Sequence, residues 1–221
     1  MIRLLCLLIG YVFGMFQTAV LYCRLKGVDI RNVGSGNAGT TNTLRVMGAK
    51  AGFTVLFGDM LKCYLAVKLV QLFVGPMLLG ESFEQMKYLL MIYTACGAVL
   101  GHDFPCYLKF KGGKGIACTA GNIIAFGYKY VIVGLLAFLV PFNITHYVSL
   151  GSLILYSGFF IELVIMGQLG FLGMPQNYLI EMYIIAFLMT ALAFYQHRAN
   201  IKRLLQHCER KTYIFKKNKT E

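Results

Sequence analysis

Tryptophan is absent from this 221-residue chain, acidic residues number only nine, and there are four prolines. Without tryptophan, any aromatic belt at a membrane–water interface must be built from the 14 tyrosines. Charged residues make up 14% of the chain, too little to cover a soluble globular surface of this size. The apolar share is 58%, against roughly 45–50% in soluble domains. Mean hydropathy is +0.66. These deficits exclude an ordinary soluble domain and make lipid the expected solvent. There is no C-x-x-C and no Cys/His metal spacing, so no metal site is expected. The seven cysteines, Cys6, Cys23, Cys63, Cys96, Cys106, Cys118 and Cys208, fall mostly in apolar runs. They read as free, buried thiols of a protein facing a reducing compartment. No internal repeat is evident, which removes the usual signature of an inverted-repeat transporter. The chain reads as one domain, 1–221.

What is present is a series of apolar runs at 1–23, 52–80, 86–101, 116–145, 147–167 and 178–196. The first lacks a small-x-small cleavage site and reads as a retained span. The run 116–145 is too long for one upright helix, with Gly127-Tyr128-Lys129 near its middle. It is either one tilted helix or a hairpin of two short ones. Charge arbitrates. Net charge is +12, and the cations cluster in three segments. Residues 24–50 carry Arg24, Lys26, Arg31, Arg45 and Lys50; residues 105–115 carry Lys109, Lys111 and Lys114. The tail 197–221 carries Arg198, Lys202, Arg203, Arg210, Lys211, Lys216, Lys217 and Lys219. A hairpin puts all three on one side, as the positive-inside rule favours. The expected fold is an all-α, polytopic membrane bundle of seven helices, N-terminus outside and C-terminus cytoplasmic. The basic charge is then membrane topology and implies no nucleic acid.

GSGNAGTTN, residues 34–42, spells G-x-G-x-x-G, with Asp59 twenty residues past the last glycine. A dinucleotide fingerprint needs a buried strand before it and a βαβ unit around it. Here a charged exit from one span precedes it, and Asp59 lies inside the next. The physics of such a loop still holds: glycines admit close backbone approach, and successive N–H groups make an anion nest. Ser35, Asn37, Thr40, Thr41 and Asn42 add neutral donors, and Arg45 adds a planar cation suited to phosphate. A plain polar loop between spans remains the alternative.

The second basic segment, GHDFPCYLKFKGGKGIACTAG (101–121), again joins glycines to cations. KGGKG, 111–115, reads as a nest opening into a helix at Ile116, where an anion is favoured; headgroup anchoring is the alternative for its lysines. The Walker A spacing is absent, so ATP is not implied. The third, HRANIKRLLQHCERK (197–211), reads first as a basic anchor along anionic lipid. His197, Arg198 and Asn200 stand at the membrane exit, in position to close a pocket made by the other two loops.

Together GSGNAGTTN…R, GHDFP…KFKGGKGIA and HRANIKRLL resemble the three motifs of the bacterial acyl-phosphate:glycerol-3-phosphate acyltransferase family, in order and across nearly the whole chain. The resemblance implies a seven-span inner-membrane enzyme with its site on the cytoplasmic face. It implies acyl transfer from acyl phosphate to position 1 of sn-glycerol 3-phosphate, giving lysophosphatidate and phosphate. No cofactor is implied, and membrane lipid and the enzyme that makes acyl phosphate are the further partners. Carried over by position, Ser35, Arg45 and Lys111 are the expected catalytic set. The expected substrate-binding set is Gly34, Gly36, Asn37, Gly39, Thr41, Asn42, His102, Gly112, Gly113, Lys114, Ser149, His197 and Asn200, with Ser149 taken from HYVSL, 146–150. Departures are His146 before YVS and His207 where the family often has glycine.

Acyl phosphate is an activated mixed anhydride, so the protein need not supply a nucleophile. It must hold two anions together and stabilise developing charge. No histidine has an aspartate five residues on, which excludes the H-x-x-x-x-D chemistry of acyl-CoA-type acyltransferases. The expected proton acceptor is a substrate phosphate oxygen, with His102 and His197 the side chains near the loops. Gly97, Gly101 and Gly121 are expected to leave a groove for the acyl chain, and Asp59 and Lys62, one turn apart, to support the site. A carrier or channel for a phosphorylated metabolite explains the same anion loops but wants its site at the midplane.

Overall fold

The computed structural model describes residues 1–214; Lys216, Lys217 and Lys219 of the tail lie outside the described residues. Among the described residues every regular element is helical. The elements are α1 (Ile2–Gly14), α2 (Thr18–Arg24), α3 (Thr40–Met47), α4 (Ala49–Leu69), α5 (Gly75–Leu79) and α6 (Phe83–Asp103). They continue as α7 (Ile116–Phe126), α8 (Tyr128–Thr145), α9 (Val148–Gln168), α10 (Gln176–Gln196) and α11 (Arg198–Leu205). Among the described residues, five stretches are long and apolar enough to cross a bilayer: Ile2–Arg24, Ala49–Leu108, Tyr128–Thr145, Val148–Gln168 and Gln176–Gln196. The second of these contains both α4 and α6, each 21 residues, or about 30 Å of helix and one bilayer core. A single π turn, Val70–Val74, joins α4 to α5.

Burial is inverted relative to a water-soluble protein. Phe57, Leu61, Leu72, Phe73, Leu135 and Phe187 are exposed, whereas Gln17, Asp59, Lys62, His102, Asn122 and His197 are buried. That is the pattern of a bundle whose outside is lipid and whose polar work is internal.

Glycine decides the tightest packing. Gly10 and Gly14 of α1 face Thr94 and Ala98 of α6, and Gly97 and Gly101 of α6 face Leu7 and Tyr11 of α1. A Cβ on Gly97 would lie 2.0 Å from Leu7 O, and one on Gly121 would lie 2.1 Å from Met60 O. Both helices of the first pair carry small residues four apart, the spacing that lets membrane helices touch backbone to backbone. This corrects the expectation of an acyl groove at Gly97, Gly101 and Gly121: the missing side chains are filled by neighbouring backbone.

The long apolar run 116–145 breaks at Gly127, whose φ of +128° ends α7 and starts α8. Gly115 and Ile116 at the start of this pair of helices, and Val148 and Ser149 after it, line one cavity. At the turn between them, Lys129 Nζ stands 5.2 Å above the Phe171 ring in the α9–α10 loop. The N-terminal end of α1 is tied to the start of α10: Arg3 forks onto Glu181, which also accepts from Tyr93 Oη at 2.7 Å. All seven cysteines are free, but Cys106 and Cys208 are exposed rather than buried, because neither lies in one of the long packed helices: Cys106 starts a one-turn 3-10 helix, Cys106–Leu108, and Cys208 follows α11.

Candidate active site

The first glycine loop is organised by Asn42. Its Oδ1 accepts from Ser35 N at 2.8 Å, and its Nδ2 donates to Ile30 O at 3.1 Å and Val33 O at 3.0 Å. Gly34 takes φ +61°, and a Cβ there would strike Asn42 Oδ1 at 2.3 Å. Gly36 N and Gly39 N are satisfied inside the loop, by Val33 O and Asn37 O. Ser35 and the start of α3, Thr40, Thr41 and Asn42, line the cavity, and the first-turn N–H groups of a helix lack intrahelical acceptors.

The second segment differs from its sequence reading. Gly112 N donates to Asp103 O at 3.0 Å and Gly113 N to His102 O at 3.1 Å. The last carbonyls of α6 need donors, and the glycine amides supply them, so they are folded back rather than offered to an anion. Lys111 is exposed, and neither it nor Gly112 nor Gly113 lines the cavity. Lys114, Gly115, Ile116 and Ala117 do, at the N-terminus of α7. Lys114 Nζ donates to Asn200 Oδ1. Burial, aided by the nearby Arg203 charge, lowers the Lys114 ammonium to about 8.

The third segment closes the site. His197 Nδ1 lies 2.8 Å from Ala193 O. A carbonyl only accepts, so the proton is on Nδ1 and Nε2 keeps its lone pair. Burial, then the Lys114 charge, pushes His197 down to about 4, neutral at physiological pH. Asn200 spans two groups, accepting from Lys114 and donating to Glu209 Oε1 at 2.7 Å. Ser149 Oγ donates to the same Glu209 oxygen at 3.1 Å, and Arg203 Nε to the other at 2.7 Å. Arg45 lines the cavity while its Nη2 donates to Thr212 Oγ1 at 2.6 Å and Arg210 O at 3.1 Å. Burial lowers the Arg45 pKa from its very high ordinary value. Thr212 N bonds His146 O at 2.9 Å, so residues 209–212 strap the tail across the site.

These groups share one cavity of about 840 Å³. Gly34, Ser35, Gly36, Asn37, Gly39, Thr41, Asn42, Arg45, His102, Lys114, Ser149, His197 and Asn200 all line it. Its other end is apolar, walled by Leu56, Met60, Ile123, Val131, Gly134, Leu135, Phe138, Leu139 and Leu155. A volume of this size suits a ligand with a charged head and an alkyl chain. Sequence reasoning missed Gln196, Arg203, Glu209 and Thr212. Glu209 had a signal: it is one of only two acids in a basic tail, the other being Glu221. Among the described residues no three His, Cys, Asp or Glu side chains gather as metal ligands would.

The family model described as glycerol-3-phosphate acyltransferase matches residues 4–207. A glycerol-3-phosphate acyltransferase 2 of Lactobacillus johnsonii is 42% identical over 207 residues, covering 93% of this chain and 86% of the relative. A glycerol-3-phosphate acyltransferase of Thermotoga petrophila is 38% identical, covering 95% of this chain and 96% of its own. Among solved structures, PlsY, an integral membrane glycerol 3-phosphate acyltransferase, in its glycerol 3-phosphate form superposes with a TM-score of 0.79 at 32% identity, covering 96% of each chain. Its lysophosphatidic acid form gives 0.77 at 31%, covering 95% of this chain and 94% of that one. With three motifs converging on one amphiphilic cavity and likeness along nearly its whole length, the chain belongs to the glycerol-3-phosphate acyltransferase family.

Proposed function

We propose that this protein transfers a fatty acyl group from acyl phosphate to the position-1 hydroxyl of sn-glycerol 3-phosphate, releasing lysophosphatidate and inorganic phosphate. The observation that carries the reading is the cavity itself. A cation-lined polar end is continuous with an apolar end, in a chain similar to a protein solved with glycerol 3-phosphate and with lysophosphatidic acid.

The glycerol oxygen attacks the acyl carbonyl carbon, the bond from that carbon to the phosphate oxygen breaks, and phosphate leaves with the electron pair. Arg45, Lys114 and the N-termini of α3 and α7 are the charge-stabilising groups, each positioned donor contributing roughly 3–4 kcal/mol. Lys114 takes the part that the motif alone suggested for Lys111, because Lys114 lines the cavity and Lys111, which is exposed, does not. Ser35 and Thr41 add hydroxyl donors, and Ser149 and Asn200 orient the glycerol phosphate. His197 accepts from the glycerol hydroxyl through Nε2. At about 4 it is a weak base, and a phosphate oxygen, with its second pKa near 6, is the better proton acceptor.

We further infer seven spans with the site cytoplasmic. Both ends of the α7–α8 pair line the cavity while Lys129 meets the α9–α10 loop, which supports a hairpin. The basic loops gather at the site end, which the positive-inside rule assigns to the cytoplasm of a cell membrane. The test is phosphate release by purified protein in lipid, with palmitoyl phosphate, with and without glycerol 3-phosphate. Release that needs both substrates, yields lysophosphatidate and is lost in Arg45→Ala supports the reading. No release from folded protein overturns it.

A further inference from the structure

Beneath the turn that precedes α7, a buried charge cluster joins α1, α4 and α6. Asp59, Lys62 and His102 are 1%, 6% and 3% exposed. Lys62 Nζ lies 3.0 Å from Gly14 O, 2.6 Å from Phe16 O, 2.9 Å from Asp59 Oδ1 and 2.9 Å from His102 Nδ1. The two carbonyls are available because the helix breaks between α1 and α2. Carbonyl oxygens only accept, so Lys62 donates to both, and its ion pair with Asp59 makes it an ammonium. The third ammonium proton goes to His102 Nδ1, and no lone pair is left to receive a proton from the ring. The other taker of an Nδ1 proton, Asp59 Oδ1, is 3.8 Å away, beyond hydrogen-bond reach. His102 Nδ1 is therefore an acceptor, and the neutral ring carries its proton on Nε2.

The ring is also held in place. The His102 carbonyl accepts from Gln17 Nε2 at 2.8 Å and Gly113 N at 3.1 Å. Nε2 packs against Gly113, where a Cβ would lie 2.0 Å from it, so glycine is required there. Among the described residues the ring's only hydrogen bond is the one at Nδ1, and the side chain lies on the cavity wall.

We propose that Lys62 is a positioning residue: it fixes His102 in the Nε2–H tautomer and presents that N–H to the anionic end of the cavity as a neutral donor. His102 is then not the proton acceptor, since its lone pair is committed to Lys62. The two cavity histidines have opposite tautomers, His102 donating and His197 accepting through Nε2. The tautomer stands apart from the acyltransferase reading; only the kinetic consequence rests on it.

The test is ¹⁵N NMR of histidine-labelled protein in lipid nanodiscs, with the His102 signal identified by its loss in His102→Gln. The expected wild-type spectrum shows His102 protonated at Nε2 and bare at Nδ1, and Lys62→Gln shows both tautomers. A wild-type His102 protonated at Nδ1 overturns the proposal without needing any variant to fold. In kinetics, Lys62→Gln and His102→Gln each raise the KM for glycerol 3-phosphate about tenfold with little change in kcat. The double variant is expected to be no worse than either single one, and Lys62→Arg, which keeps a donor, to restore most of the loss. Losses that multiply in the double variant show Lys62 acting independently of His102 and equally overturn it. If wild-type protein forms no lysophosphatidate at all, the function reading fails while the NMR result stands.

Discussion

Lys114 Nζ donates to Asn200 Oδ1, joining the turn before α7 to the start of α11. Lys111, three residues earlier in the same motif, is exposed and outside the cavity. The two lysines are thus expected to separate cleanly. Lys114→Met lowers kcat/KM by about two orders of magnitude, the usual cost of a lost charge-stabilising donor. Lys111→Met changes it by less than about threefold, the level of a screened surface charge. Steady-state lysophosphatidate formation by both variants decides it; the reverse ranking would return the catalytic part to Lys111.

Lys114 also sets a pH dependence. Its pKa is lowered to about 8 from the ordinary 10.5, so its charge is lost as pH climbs through about 8. The free enzyme's kcat/KM falls above that point, while kcat falls later because a bound phosphate dianion restores the ammonium. His197, lowered to about 4, stays neutral throughout and adds no limb. Stability moves the other way. Between pH 8 and 10.5 the unfolded chain binds the Lys114 proton and the folded chain does not, so this group makes folding more favourable as pH rises. An alkaline loss of kcat/KM that vanishes in Lys114→Arg, measured beside thermal midpoints that do not fall across the same window, is the expected pair of results.

Much of this site was legible because its motifs are local. GSGNAGTTN announces a loop with glycine at positive φ, and Gly34 and Gly36 take φ of +61° and +71°. His207 adopts φ +54°, so the backbone there takes a left-handed turn of the kind glycine would suit. What a loop's amides bond to was not legible. Gly112 and Gly113 look like a nest in sequence, but the carbonyls of His102 and Asp103 claim them, and that follows only from where α6 ends. Glu209 was missed because its partners Ser149 and Asn200 lie 60 and 9 residues away. The glycines of α1 and α6 were readable as two small-residue pairs at spacing four, yet which helices they join is a tertiary fact.

That glycine contact predicts where stability resides. In Gly97→Ala the added Cβ would meet Leu7 O at 2.0 Å, so α1 and α6 have to separate. The expected cost is about 1–3 kcal/mol from overpacking, seen as a lower thermal midpoint in detergent. Gly158→Ala is the control: its Cβ would find only Ala137 Cβ, at an ordinary 3.4 Å, and no loss is expected. Equal midpoints for the two variants would mean that the α1–α6 contact is looser than the geometry requires.

Gly134 sits on α8 in the apolar wall of the cavity, opposite Ile123 and Leu155. A Cβ there would stand 3.3 Å from Leu155 Cδ1 and 3.4 Å from Ile123 Cδ1, so alanine just fits and anything larger enters the cavity. Because the polar groups lie at the other end, a bulky residue at 134 shortens the space for the acyl chain without touching the phosphate site. In Gly134→Leu, kcat/KM for palmitoyl phosphate is expected to fall about tenfold or more, the scale on which a hydrophobic pocket discriminates chain length. Decanoyl phosphate, whose chain stops short of the obstruction, is expected to lose less than about threefold, and the KM for glycerol 3-phosphate to stay unchanged. Competition between the two acyl phosphates in one assay measures the ratio directly. A loss shared equally by both chain lengths would mean that the acyl chain does not pass Gly134 and leaves toward the lipid nearer the polar end, past Leu139.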